Sequence, residues 1–149
     1  MKKIMLLYVN VSVLGYVQIS PFRILNPNFN TAHIDEWVRL NARNECMGCC
    51  FNGATEDFID ANLNYTNLKN ASLVNTEFVY TRINFGCFEN TDIRFSRFQH
   101  CFAVGANFNH CIGDKTSFLS ARLDTAHFND ADLPECFFIR ANCRGTTFI

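Results

Sequence analysis

A chain of 149 residues, with 48% hydrophobic and 14% aromatic side chains, suits one compact domain and is too apolar for disorder. Its formal net charge of -1 excludes both a general basic footprint for nucleic acid and a strong polyanionic character. Direct nucleic-acid binding is therefore not expected.

Residues 1–20, MKKIMLLYVNVSVLGYVQIS, permit two readings. Lys2 and Lys3 before an apolar run, with Val13 and Gly15 as a small-residue cleavage site, resemble a secretory signal and would export the chain. Val9, Val11 and Val13 alternating with Asn10 and Ser12 read instead as a half-buried strand, which leaves the chain cytoplasmic and is the preferred reading. The run is too short and too polar for a transmembrane helix, so no membrane partner is expected. Residues 21–30 carry two prolines and read as a link.

Residues 31–45 then look helical, with Ile34, Trp37 and Val38 on one face, Asp35 and Glu36 in the first turn, and Arg39 and Arg43 in the last. Residues 1–50 are thus expected to form a capping segment, with Trp37 as a plug over Phe58. Cys46, Cys49 and Cys50 form C-x-x-C-C at its end. With no second pair, and only His33 nearby in sequence, neither zinc nor redox chemistry is indicated, and a reduced set of thiols is expected. No metal or cofactor is called for.

From Phe58 onward a large apolar residue returns every fifth position without insertion or deletion. Phe58, Leu63, Leu68, Leu73, Phe78, Ile83, Phe88, Ile93, Phe98, Phe108, Phe118, Leu123, Phe128, Leu133, Phe138 and Phe148 form this column, broken only by Ala103, Gly113 and Cys143. A second column two residues earlier, from Ala61 and Thr66 to Ala141 and Thr146, is small throughout. A helix repeats its buried face at 3.6 residues and a strand at 2, so a period of five fits neither. It fits a coil of short runs and corners over residues 51–149, with both columns pointing inward.

The number of sides follows from the distribution of Phe. Every second central residue is Phe except Leu68, and the intervening set contains none. Stacking at a spacing of fifteen would mix the sets; a spacing of twenty keeps them apart. Four sides then give two opposite Phe walls and two walls of smaller residues, which fill the interior without voids.

Read this way, the stretch resembles the pentapeptide-repeat family, whose A(D/N)LxX pattern appears as Ala61-Asn62-Leu63, Ala71-Ser72-Leu73, Ala106-Asn107-Phe108 and Ala131-Asp132-Leu133. The resemblance implies an all-β fold, a right-handed quadrilateral β-helix, here preceded by a short cap with one α-helix. At ~4.8 Å per coil, nearly five coils make a rod roughly 23 Å long. It does not imply one activity, because the same fold serves gyrase-protecting DNA mimics, secreted effectors and others.

The last coil has no polar cap after Ile149, so it is either paired with another chain or part of a longer protein, and the resemblance implies tail-to-tail pairing. A homodimer through Phe138, Cys143, Phe148 and Ile149 is therefore expected. On the outside, the position after each central residue is mostly polar, but on the first Phe wall it reads Ile59, Val79, Gln99, Leu119, Ile139, with Phe137 beside the last. This apolar stripe is either a candidate partner surface or the face over which the N-terminal segment folds back. Phe102 and Ile112, each next to a missing large residue, suggest a bulge that turns them inward. Cys101, Cys111 and Cys136 fall in the small column and Cys143 in the large one, as core residues.

His100, His110 and His127 fall outward with no nucleophile in register, and there is no phosphate loop or paired-carboxylate motif. No catalytic residue is assigned. The expected function is a non-enzymatic interaction or scaffold module with an unidentified protein partner. The alternatives are a DNA-mimicking gyrase binder and a secreted effector. Duplex DNA carries about one charge per ~1.7 Å, so a mimic of this length should show on the order of thirteen uncompensated charges. Residues 51–149 contain eleven Asp and Glu against eight Lys and Arg.

Overall fold

The computed structural model describes Glu36, Leu40 and residues 43–54 and 58–149. Glu36, Leu40 and Arg43 have helical backbone, Leu40 is buried, and the Asn44 N–H donates to the Leu40 carbonyl at 2.9 Å. The rest of the expected cap, including Ile34, Trp37 and Val38, and the strand or signal-like stretch 1–20 lie outside the described residues.

Residues 58–149 form a four-sided β-coil. Parallel bridges join Asn62 to Arg82, Arg82 to Phe102 and Phe102 to Arg122, and the other three sides repeat the same step of twenty residues. Each straight run is so short that one residue makes the bridge. Between runs the chain turns through a residue of positive φ, from Asp60 and Tyr65 to Arg140 and Gly145, with φ between 53° and 68°. Asn, Asp and Gly tolerate this left-handed region best, and they occupy many of the corners.

The hydrogen bonds explain why the period is five. The central N–H donates to the next coil (Leu63 to the Arg82 carbonyl, 2.7 Å), as does the corner N–H (Tyr65 to Asn84, 2.9 Å). The bridging N–H donates to the previous coil (Arg82 to Ala61, 2.7 Å), and the small residue closes the turn (Ala61 to Phe58, 3.0 Å). Four of five backbone donors are thus placed by the ladder itself. The small column also places its own polar atoms: Thr116 Oγ1 donates to the Ile93 carbonyl at 2.7 Å and Thr146 Oγ1 to the Leu123 carbonyl at 2.6 Å. Thr81 does the same to Phe58, which is how a core lined with hydroxyls leaves them satisfied.

The expected core is buried from Phe58 to Phe128, while Leu133 and Phe138 are half-buried. Within each Phe wall the rings stack, Phe78 on Phe98 at 4.6 Å and Phe88 on Phe108 at 4.8 Å. Across the coil the walls meet edge to face, Phe98 against Phe108 at 5.6 Å with planes at 88°. Both are favoured arrangements of the ring quadrupole.

Three expectations change. The bulge at Phe102 and Ile112 is absent: both bridge in register at steps of twenty, Ala103 and Gly113 are buried, and Ile112 is exposed. Coils above and below supply the missing volume, since a Cβ on Gly113 would stand 2.6 Å from Leu133 Cδ2 and 3.3 Å from Ile93 Cγ1. The ladder also begins earlier than residue 51, with Glu45 bridged to Asn67 and Cys50 to Ser72, a step of twenty-two that conceals these rungs from a count by five. Phe51, in this first described coil, packs edge to face on Phe58 at 5.2 Å. Finally, Cys46 and Cys49 form a disulfide, so the cysteines are not all reduced thiols. Both face inward in this first coil, which brings their Cα atoms to 5.4 Å, within bridging range.

Candidate interaction surface

The one donor the ladder leaves over is the N–H after the central residue, and on three sides a side chain accepts it at most positions, Glu89, Asp114 and Asp124 being exceptions among the described residues. Asn62 Oδ1 accepts from Asn64, and Asn64 Oδ1 accepts from Asn84 of the next coil at 2.9 Å. Asn84 Oδ1 accepts from Val104, Asp92 Oδ1 from Arg94, Asn107 Oδ1 from Asn109 and Asn109 Oδ1 from Asn129. This is the physical reason for Asn or Asp beside the central residue: a short acceptor satisfies the leftover donor.

The side carrying the expected stripe departs from this rule. Its positions beside the central residue hold Glu77, Arg97, Ser117 and Phe137 on one flank and Ile59, Val79, Gln99, Leu119 and Ile139 on the other. The N–H groups of Val79, Gln99, Leu119 and Ile139 find no acceptor among the described residues. Ile59, Val79 and Leu119 are half-buried, Phe137 is 49% exposed and Ile139 61%. The stripe therefore exists as a row along the rod, interrupted at Gln99, whose Oε1 accepts from Arg97 at 3.2 Å. Arg97 in turn pairs with Glu77 at 2.9 Å.

A second surface on the adjoining side escaped the sequence reading. Tyr65 and Phe85, both exposed at corners, stack at 5.4 Å, and Phe85 lies against Gly105, where a Cβ would stand 2.7 Å from the ring. Phe102 sits between Arg82 and Arg122, whose guanidinium carbons lie 5.9 and 5.7 Å from its ring centre. Tyr65, Phe85, Phe102 and Arg122, with Asn64, Asn84 and Val104, line an open groove of about 310 Å³, and Arg82 flanks it across the Phe102 ring. The signal was a spacing of twenty between Tyr65 and Phe85 and between Arg82, Phe102 and Arg122.

At the far end, the four residues of the expected dimer contact converge on the last coil. Phe138 and Cys143 are half-buried, Phe148 is 54% and Ile149 86% exposed.

The histidines face outward as expected: His100 stacks on Tyr80 at 5.0 Å, His110 lies 3.8 Å from Asp130, and His127 Nδ1 is 3.1 Å from Thr147 Oγ1. Burial pushes the Cys111 thiol up to about 12 and raises that of Cys101 as well, so neither is a nucleophile at neutral pH. Among the described residues no group of His, Cys, Asp and Glu is arranged to hold a metal ion, and no helix is long and apolar enough to cross a membrane.

A family model described as pentapeptide repeats matches residues 57–94 and 92–130, with eight copies. No curated protein matches the chain significantly by sequence. Among solved structures, the pentapeptide repeat protein Rfr23 from the cyanobacterium Cyanothece 51142 is similar at 15% identity and TM-score 0.52, over 78% of this chain and 95% of that one. A pentapeptide repeat protein from the Arabidopsis thaliana thylakoid lumen matches at 18% identity and TM-score 0.43, over 70% and 61%. QnrB1, a plasmid-mediated fluoroquinolone resistance protein, matches at 15% identity and TM-score 0.37, over 68% and 48%. At 15% identity the likeness to Rfr23 is one of fold.

Proposed function

The chain belongs to the pentapeptide-repeat family, which shares a fold rather than an activity, and from that premise we propose that it is a rigid, non-enzymatic interaction module whose binding stripe runs from Ile59 to Ile139. The observation that carries the reading is that on this one side none of the leftover N–H groups of Val79, Gln99, Leu119 and Ile139 meets an acceptor among the described residues, whereas on the other three sides most do. Short polar acceptors are replaced there by Val79, Leu119, Ile139 and Phe137. An apolar row with spare donors on a rigid support fits a protein partner that brings carbonyl groups.

The test is capture of a partner from extract of the source cells by the immobilised chain and by a Val79→Asp/Leu119→Asp variant. A protein retained by the first and lost from the second is expected. Equal retention would remove the stripe from consideration.

The charge pattern counts against DNA mimicry. Acidic residues are interleaved with bases: Lys69 pairs with Glu89 at 2.9 Å, Arg94 with Asp92 at 2.7 Å, and Lys115 lies 3.8 Å from Glu135, so even the side that gathers Asp92, Asp114, Asp132 and Glu135 carries two cations. The side that carries Arg82, Arg122 and Arg144 holds only Asp124 against them. In a DNA gyrase supercoiling assay, with and without a fluoroquinolone, no effect is expected at large molar excess. Inhibition or drug protection at stoichiometric protein would instead install the gyrase reading.

A second copy seated on the coil 131–149 completes the proposal. Leu133, Phe138 and Cys143 are less buried than their counterparts in earlier coils, and their N–H groups have no acceptor among the described residues. Sedimentation equilibrium is expected to give twice the chain mass, falling to the monomer for Phe148→Asp. A native chain that stays monomeric at micromolar concentration rejects the contact.

A further inference from the structure

The groove on the adjoining side has a chemistry of its own, and we infer that it binds an acidic, apolar peptide segment of a partner protein. The inference rests on the reading of the rod as an interaction module and adds a second contact to it.

Three features converge. First, the cations of this side have no carboxylate. Elsewhere on the rod Lys69, Arg94 and Arg97 pair with acids, whereas Arg82 and Arg122 meet no acid among the described residues and stack on Phe102 instead. The one acid of the side, Asp124, already accepts from Asn142 Nδ2 at 2.9 and 3.0 Å. Secondly, the groove presents donors almost alone. Asn64 and Asn84 spend their Oδ1 atoms on backbone N–H groups, while their Nδ2 atoms donate to nothing among the described residues. Apart from the Tyr65 hydroxyl, what remains is guanidinium and amide N–H. Thirdly, Tyr65 and Phe85 are 69% and 54% exposed at corners of positive φ, where a large L side chain is less at ease than Gly or Asn.

A ligand complementary to this surface is rich in acceptors, negative, and carries an apolar side chain for the aromatic rim. Arg82 and Arg122 are two coils apart, about 10 Å, a distance that an extended peptide covers in roughly three residues. Two carboxylates flanking an aliphatic or aromatic residue therefore meet both arginines and the rim together. A nucleic-acid strand fits less well. Phe85 is held between Tyr65 and Gly105, so its faces are not open for base stacking, and two free arginines on a chain of net charge -1 are a poor track for a polyanion.

The experiment is fluorescence anisotropy on the full chain with a fluorescein-labelled peptide in which Glu residues bracket Leu and Phe. Its Gln-substituted counterpart and labelled oligothymidylate serve as comparisons. Binding of the Glu peptide is expected, weakened by salt and reduced at least tenfold by Arg82→Gln/Arg122→Gln and by Phe85→Ser. All of these side chains point outward, and circular dichroism checks that the variants keep the fold. Val79→Asp/Leu119→Asp should leave this affinity unchanged, which separates the groove from the stripe. If that variant loses the captured partner while the Glu peptide does not bind, the groove is rejected and the stripe stands. Equal binding of the Gln peptide, indifference to the arginine changes, or tighter binding of oligothymidylate also overturns the assignment.

Discussion

Phe98→Ala is expected to lower the unfolding free energy by about 3–5 kcal/mol, at the upper end for a single core truncation. Phe98 stacks on Phe78 at 4.6 Å and on Phe118 at 5.0 Å, and meets Phe88 and Phe108 edge to face at 6.1 and 5.6 Å. Removing it therefore takes a contact from four rings at once. The backbone ladder above and below fixes the coil spacing, so the space cannot close by collapse and a cavity term adds to the lost transfer energy. Phe85→Ala supplies the internal control. That ring stacks on Tyr65 but is 54% exposed and lies away from the coil 131–149, so its loss should cost well under half as much. Urea denaturation followed by circular dichroism measures both. Comparable midpoints for the two variants would contradict a core organised as continuous walls.

Deleting residues 101–105 should unfold the rod, whereas deleting residues 81–100 should leave it folded. The shorter deletion moves every later residue by one side. Phe108 then falls on Ile83, Gly113 on Phe88, Phe118 on Ile93 and Leu123 on Phe98, so large rings meet a wall of smaller residues and small residues leave holes in the Phe wall. Overpacking costs typically ~1–3 kcal/mol per site and cavities ~2–5, and several such sites together exceed a domain stability of about 5–15 kcal/mol. The longer deletion removes one whole coil. Phe108 then follows Leu68, Phe118 follows Phe78, and every side keeps its own kind of residue, on a rod shorter by about 4.8 Å. Thermal melts with dye binding to exposed apolar surface distinguish the two. A five-residue deletion as cooperative as the twenty-residue one would mean that the sides are interchangeable.

The inward half of this protein was legible because packing writes side-chain size directly into the sequence. Alternation of Phe with smaller residues from Phe58 to Phe128 revealed both the four sides and the membership of each wall. The misreadings share one cause: a linear count does not show what the neighbouring coil contributes. Ala103 and Gly113 looked like faults in the column, yet Ile93 and Leu133 reach over Gly113 and no slip is needed. The rungs at Glu45 and Cys50 were hidden by a step of twenty-two, which also hid the inward approach of Cys46 to Cys49. On the outside, the stripe was visible as a row of hydrophobic letters. The groove was not, because its character comes from which atoms are already engaged. Asn84 reads as merely polar until its Oδ1 is seen accepting from Val104, and Arg82 reads as an ordinary surface cation until its lack of an acid is seen.

The constant step of twenty also bears on how the chain reaches this shape. Over residues 58–149 no rung of the ladder joins residues further apart than about one coil, so each closes a loop of nearly the same length and costs nearly the same entropy. After the first coil, each further coil forms against a finished surface that already offers its carbonyls and its rings. Such accretion proceeds from either neighbour without waiting for the distant end of the chain. A nascent polypeptide can therefore complete the rod coil by coil as it emerges, and sequence separation sets no late, long-range step in its assembly.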